Sequence, residues 1–322
     1  MGHMKKRVLT GLQPSGVLHI GNYFGSLKPL VDLASDTKNE TFLMVADYHA
    51  LTSLKDPKLL REYSLDIVKD YLAAGVDPSQ VILFRQSDNP YHMELGWVLN
   101  CQVTVPFLMQ AHSYKDKVAK GLEANAGLFT YPMLMAADIL LYDVDLVPVG
   151  EDQRQHLEYT REAVAKFNHA YGKLLKEPKE LIVQGVGVVP GTDGQKMSKS
   201  YKNTIPLFGT KDEIQKAVMS IVTDSSGDRP ENVYNIHKII YRALGKSQTE
   251  LDALYREHSG KYKILKDTLV EDIDTLVEPM RATRADISDS EVVKVLQAGA
   301  EKAIVIAEQK MQLVRKAIGI SL

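Results

Sequence analysis

The chain has 322 residues, 44% of them hydrophobic and 25% charged, with 39 Lys and Arg against 41 Asp and Glu. That length allows two domains, and the near-neutral balance excludes a global nucleic-acid footprint, so a nucleic-acid partner must be met by local patches. A single cysteine, Cys101, excludes internal disulfides and Cys-rich metal sites.

No apolar run approaches a bilayer span and no signal-peptide core opens the chain, which predicts a cytoplasmic protein with no membrane contact. Met1-Gly2-His3-Met4 reads as a cloning remnant and carries no fold information. Val8-Leu9-Thr10 then reads as a buried strand feeding a glycine-rich turn, Gly11-Leu12-Gln13-Pro14-Ser15-Gly16, in which Gly11 and Gly16 permit tight bends. Ile20, Phe24, Leu27 and Val31 follow at helical spacing, although Pro29 inside that helix forfeits a bond to Gly25 and predicts a kink. Thr41–Ala46 is a near-continuous apolar run, as expected of a parallel strand covered on both faces.

Asp56-Pro57 and Gly75 bracket a long helix, and Val81-Ile82-Leu83-Phe84 is the next strand. This β-α-β-α-β alternation predicts an α/β fold with a doubly wound, parallel, Rossmann-like sheet. Residues 91–128 read as a helical insertion, after which strands resume at Leu146–Val149 and Leu181–Val183. Beyond residue 209 only helical periodicity remains, so the expected division is a sheet-bearing α/β part at 5–208 and a C-terminal helical part at 209–322. The segment 261–322 carries ten Lys or Arg and ten Asp or Glu, so it is not a basic arm.

Two elements point to phosphate chemistry. Lys196-Met197-Ser198-Lys199-Ser200 sets two lysines and two hydroxyls behind the flexible Pro190-Gly191-Thr192-Asp193-Gly194. Alone it fits a solvated basic turn. The second element delivers His19 and Asn22 to the first turn of a helix, where free N–H groups and the dipole favour anions, with Gly21 allowing close backbone approach. His19 alone fits a capped surface helix; the two elements together do not fit that reading. A P-loop is absent, and Gly185-Val186-Gly187 fails as a dinucleotide fingerprint because Pro190 stands where the third glycine belongs.

His19-Ile20-Gly21-Asn22 paired with Lys196-Met197-Ser198-Lys199-Ser200 resembles the double signature of class I aminoacyl-tRNA synthetases. The blocks Gly11–Gly16, Leu134–Tyr142, Val147–Gln153, Thr223–Gly227 and Gly299–Ala303 are similar, in order and spacing, to the bacterial tryptophanyl members of that family. The resemblance runs from residue 5 to about 319. It implies activation of L-tryptophan by ATP with Mg2+, no protein-held metal, transfer to tRNA(Trp), and a homodimer whose helical domain reads the anticodon.

It also implies residue roles. His19, Asn22, Lys117, Lys196 and Lys199 would serve catalysis at the phosphates. Gln13, Pro14, Ser15, Gly21, Val188, Met197, Ser198 and Ser200 would contact ATP, with Gly150, Glu151 and Asp152 at the ribose. Leu9, Tyr131, Met135, Asp138, Val147, Val149 and Gln153 would surround tryptophan. Part of this follows from the residues themselves: indole N–H is a donor only and needs a buried acceptor, and Asp138 is a carboxylate in an apolar run. Tyr131, Met135 and Asp138 share one helix face, and Pro132 is placed to open that helix. The competing reading is an Asp138 paired with a core group.

Two departures from the family pattern stand out. Tyr201-Lys202-Asn203 replaces Asp-Pro-Asn after the lysine loop, and Leu9 stands where phenylalanine is familiar. A tyrosyl-tRNA synthetase, a nucleotidyltransferase of the same superfamily and a non-catalytic paralogue are the alternatives.

Overall fold

In the computed structural model five strands form one parallel sheet in the order β3-β2-β1-β4-β5. They are β1 (Lys6–Leu12), β2 (Asn39–Val45), β3 (Val81–Arg85), β4 (Leu146–Val149) and β5 (Lys179–Ile182). The structure describes residues 5–321 except 120, 122–123, 150–153, 183–187 and 224–228, and without the side chains of 112, 113, 117 and 154. Burial explains why the strands are legible: Phe42, Leu43, Met44 and Val45 in β2 are all buried, as covering helices on both faces require.

β1 pairs in parallel with β2 along its whole length and with β4 on the other side at Val8–Leu146. Strand order therefore reverses between β1 and β4. In open α/β sheets ligands bind at the carboxyl ends of the strands beside such a reversal. Gly11 lies inside β1, not in the turn: a Cβ there would run into the Met44 carbonyl of β2. The glycine that does bend the chain is Gly16, at φ 94°.

Pro29 does not act as a kink in the way the sequence suggests. The run opens with Ile20–Asn22, widens into a π turn at Tyr23–Leu27 and continues as a helix at Lys28–Ala34. The Lys28 N–H reaches back five residues to Tyr23, which leaves Pro29 in the first turn of a fresh α-helical segment, where its missing N–H costs little.

The expected insertion is helical: Tyr91–Asn100, Val105–Leu108, His112–Ala119 and Ala126–Leu140 lie between β3 and β4. Pro132 does not open its helix. Asn125 caps it six residues upstream of the expected start, its side chain accepting from the Leu128 N–H at 2.8 Å, and Pro132 sits in the interior.

After Phe208 the described chain is helical, with long elements at Glu231–Ala243, Tyr262–Asp286 and Asp289–Ala317. The last of these returns to the sheet. Gly299 lies so close to β3 that a Cβ would collide with the Leu83 carbonyl, and Ala300, Ala303 and Ala307 share a core cluster with Leu9, Phe42 and Phe84. Hydrophobic packing is thus continuous across residue 208. The whole is a Rossmann-like doubly wound fold with a helical insertion and a helical C-terminal part.

Candidate active site

The loop leaving β1 places Gln13 and Ser15 at the surface and buries Pro14 and His19. His19 caps the following helix. Its Nδ1 accepts from the Asn22 N–H at 3.2 Å while the Asn22 Oδ1 accepts from the His19 N–H at 3.1 Å, a reciprocal capping box. Burial, with a smaller contribution from the nearby Lys199 charge, pulls the His19 imidazole down to about 4. The ring is therefore neutral at pH 7, and since Nδ1 accepts, its proton sits on Nε2, available for donation. Asn22 turns its carbonyl to this cap, leaving its NH2 for a ligand.

The structure brings the lysine loop onto this turn. Met197 is buried, and its sulfur accepts from the Gly21 N–H at 3.3 Å. A Cβ on Gly21 would lie 3.1 Å from the Met197 Cβ, so glycine makes room for the loop itself. The Lys199 ammonium donates to the Ser15 carbonyl at 2.9 Å. Desolvation holds this ammonium below the ordinary lysine value, opposed by the Asp70 carboxylate. Lys196 is exposed, and the Ser198 and Ser200 hydroxyls lie 2.9 Å apart. Val188 is 67% exposed, on the approach to the loop.

Asp138 is 2% exposed and is held by three side chains. His49 Nε2 lies 2.9 Å from Oδ2, while His92 Nδ1 at 2.6 Å and Gln86 Nε2 at 2.8 Å share Oδ1. Asn89 donates to the Tyr142 hydroxyl at 2.9 Å, and that hydroxyl lies 2.8 Å from His92 Nε2. The chain is consistent with one set of tautomers: the Tyr142 O–H donates to Nε2, and the Nδ1–H of His92 donates to Asp138. Burial alone would raise the Asp138 carboxyl; the donations of His49 and His92 outweigh it and keep the group below the usual carboxylate range. The core-paired reading of Asp138 is thus correct as geometry. Yet a carboxylate has about four acceptor directions and three are filled, leaving one on Oδ2.

His49, Gln86 and His92 were not singled out in the sequence. Their one signal is position: His49 and Gln86 follow directly on the buried runs of β2 and β3, at the carboxyl ends of the strands. Tyr131 and His49 face each other edge to plane at 6.2 Å and both line a cleft of about 330 Å3 with Tyr48 and Leu134. The Tyr131 hydroxyl also lies 3.1 Å from the His156 ring. Leu9, Val147 and Val149 are buried in one cluster, with Met135 against it. That cluster includes Phe42 and Tyr142, stacked at 4.8 Å, so the strands beside Leu9 provide aromatic surface. The expected ribose residues Gly150, Glu151 and Asp152, with Gln153, Asp224–Gly227 and the side chain of Lys117, lie outside the described residues.

Comparison with known proteins places this geometry. The family model of class I tRNA synthetases (W and Y) matches residues 2–290. The tryptophan–tRNA ligase of Fusobacterium nucleatum is 47% identical over 321 residues, covering 98% of each chain. The crystal structure of tryptophanyl-tRNA synthetase from Campylobacter jejuni, complexed with ADP and tryptophan, superposes with a TM-score of 0.89 at 41% identity, covering 97% of this chain and 99% of that one. The Mycoplasma pneumoniae tryptophanyl-tRNA synthetase gives 0.81 at 32% identity over 98% of both. With the lysine loop seated on the His19 turn at the sheet's reversal point, and with these matches spanning the chain, the protein belongs to the class I tRNA synthetase family of the tryptophan and tyrosine enzymes.

Proposed function

We propose that this protein activates L-tryptophan with ATP, forming tryptophanyl-adenylate and pyrophosphate, and then transfers the tryptophan to tRNA(Trp). The observation that carries this reading is the meeting of two segments far apart in sequence: Gly21 with Met197, and Ser15 with Lys199. The names of the near relatives agree in choosing tryptophan over tyrosine.

The chemistry asks for position and charge. A tryptophan carboxylate oxygen attacks the α-phosphorus, the new O–P bond forms as the bond to the bridging oxygen breaks, and pyrophosphate leaves with the negative charge. We assign the neutral His19 Nε2–H and the Asn22 amide to phosphate oxygens. Lys196 and Lys199 meet the departing charge, Lys199 exchanging the Ser15 carbonyl for it. Lys117, Gln13, Pro14, Ser15, Gly21, Val188, Met197, Ser198 and Ser200 complete the nucleotide contacts, with Gly150, Glu151 and Asp152 at the ribose. The open direction on Asp138 Oδ2 takes the indole N–H, within a pocket of Leu9, Tyr131, Met135, Val147, Val149 and Gln153. Magnesium would come with the nucleotide, and it would supply charge to the phosphate oxygens.

Trp97 is 71% exposed, one helical turn from Met93, which with Leu51 is 50% exposed at the edge of the 330 Å3 cleft. We assign this apolar patch to a second copy of the chain, giving a homodimer, since so large an aromatic left in water marks an interface. Sedimentation of wild type against Trp97→Glu tests it; a wild-type monomer at micromolar concentration rejects it. Anticodon-side contacts fall to the helical residues 209–322, and the cytoplasm is the expected compartment.

The deciding experiment is ATP–pyrophosphate exchange across a panel of amino acids. Stimulation by tryptophan alone is expected, and stimulation by tyrosine instead would overturn the assignment.

A further inference from the structure

We infer that Asn203 is the positioning residue of the lysine loop, its side-chain amide setting the backbone that carries Lys196 and Lys199. The inference rests on the proposed function, which gives those lysines their substrate.

Asn203 is 2% exposed, directly after the exposed Lys199, Ser200, Tyr201 and Lys202. Its Oδ1 accepts from the Ser198 N–H at 2.7 Å. Its Nδ2 donates to the Lys196 carbonyl at 3.1 Å and to the Asp193 carboxylate at 2.7 Å. Its own carbonyl accepts from the Thr192 N–H at 2.9 Å. One side chain thus holds the peptide groups on both sides of Met197, between Lys196 and Ser198, the residue that precedes Lys199. Among the described residues no other donor meets the Lys196 carbonyl and no other acceptor meets the Ser198 N–H.

The surroundings are built to admit this amide. A Cβ on Gly191 would run into the Asn203 side chain, so that glycine is required by the staple. Lys202 adopts a left-handed conformation, φ 54° and ψ 30°, turning the chain so that Asn203 comes back beneath the loop. The frame on which the staple acts is fixed elsewhere: Val222 N–H donates to the Thr192 carbonyl at 2.7 Å, and Met197 N–H to the Val189 carbonyl at 2.9 Å. Asp193 is an exposed carboxylate, and the Asn203 amide is the main reason its pKa lies below the usual range.

The chemistry demands a residue that donates and accepts at once. Aspartate at 203 would keep the acceptor for Ser198, lose the donor for Lys196 and set a second carboxylate against Asp193. Displacement of a charged group by about 1 Å is enough to cost on the order of 10²-fold in rate. The departure at Tyr201-Lys202 therefore leaves the closing element of the loop in place, because Asn203 does the holding.

The test uses the full chain with Asn203→Asp, the reciprocal pair Asp193→Asn with Asn203→Asp, and each of Asn203→Asp and wild type combined with Lys199→Ala. Readouts are kcat and the ATP KM of tryptophan-dependent pyrophosphate exchange, tryptophan affinity by equilibrium dialysis, and thermal midpoint. Asn203→Asp should lower kcat by about tenfold to a hundredfold with tryptophan affinity and midpoint unchanged. The reciprocal pair removes the carboxylate–carboxylate repulsion across the 193–203 gap but leaves the Lys196 carbonyl without its donor, so it should recover only part of that loss. With Lys199→Ala already present, Asn203→Asp should cost less than it does in the wild type, because coupled residues are not additive, the remainder acting through Lys196. An unchanged kcat for Asn203→Asp overturns the inference, as does a full loss in the Lys199→Ala background. So does a parallel fall in rate, tryptophan affinity and midpoint that the reciprocal pair does not mend. Absence of exchange in the wild type itself is a different result, and it strikes the proposed function.

Discussion

The two ends of the site as proposed are built in opposite ways. At the amino-acid end, Asp138 is 2% exposed and held by His49, Gln86 and His92. At the nucleotide end, Lys196 is exposed and Lys199 touches a single backbone carbonyl. The difference fits the two tasks proposed for them. Choosing between similar amino acids needs a fixed acceptor whose misuse leaves a buried polar group unpaired. Stabilising pyrophosphate needs charge that meets the phosphate as it departs and can then let go.

The contrast is sharpest if Asp138→Ala is made. Three buried donors lose their acceptor at about 1–3 kcal/mol each, so urea unfolding should show a loss of at least about 3 kcal/mol, together with loss of tryptophan binding. A loss under about 1 kcal/mol would mean the network is not built around the carboxylate. The milder Asp138→Asn should relax selectivity; unchanged rejection of tyrosine and phenylalanine in the exchange assay contradicts the pocket assignment.

Lys199→Ala should do the reverse. The activation rate is expected to fall by about 10²–10³ while stability stays within about 0.5 kcal/mol of wild type. Tryptophan affinity should hold, and a comparable loss in rate and affinity would show that the lysine binds the ground state.

A smaller effect separates the two ends by pH. The His19 imidazole falls from its ordinary 6.5 to about 4, chiefly through burial. Its folded value lies below its unfolded one, so the stability it contributes is intact above pH 6.5 and is lost as pH falls towards 4. Histidine-ring NMR should place its midpoint near 4, and a midpoint at 6–7 would falsify a neutral donor. The smallest change is Ser200→Ala. It removes one exposed hydroxyl contact to Ser198 and should move stability by less than about 0.5 kcal/mol.

How much could be read in advance depended on whether the signal was local. The buried runs of β1 to β4 announced themselves because a parallel strand covered on both faces admits little but apolar side chains. β5 was found but two residues late, since its own residues are mostly exposed. Pro132 misled because proline favours the first helical turn, while the Asn125 cap lay upstream and the helix ran through it. Pro29 misled for a related reason, a π turn absorbing the missing bond. Gly11 was assigned to a bend when its function is to let β1 approach β2.

By itself the sequence determined the order of strands and helices, the two segments proposed for phosphate and the isolated carboxylate at Asp138. Each is a property of neighbouring residues: a run of apolar side chains, a glycine before a helix, two lysines separated by a methionine and a serine. Only the tertiary structure decided what those groups touch. His49, Gln86 and His92 reach Asp138 from the ends of other elements, His19 becomes neutral through burial under the incoming loop, and Asn203 folds back to hold Lys196 and Ser198. Burial and hydrogen-bond partners depend on which distant segments the sheet brings together, and no local pattern encodes that.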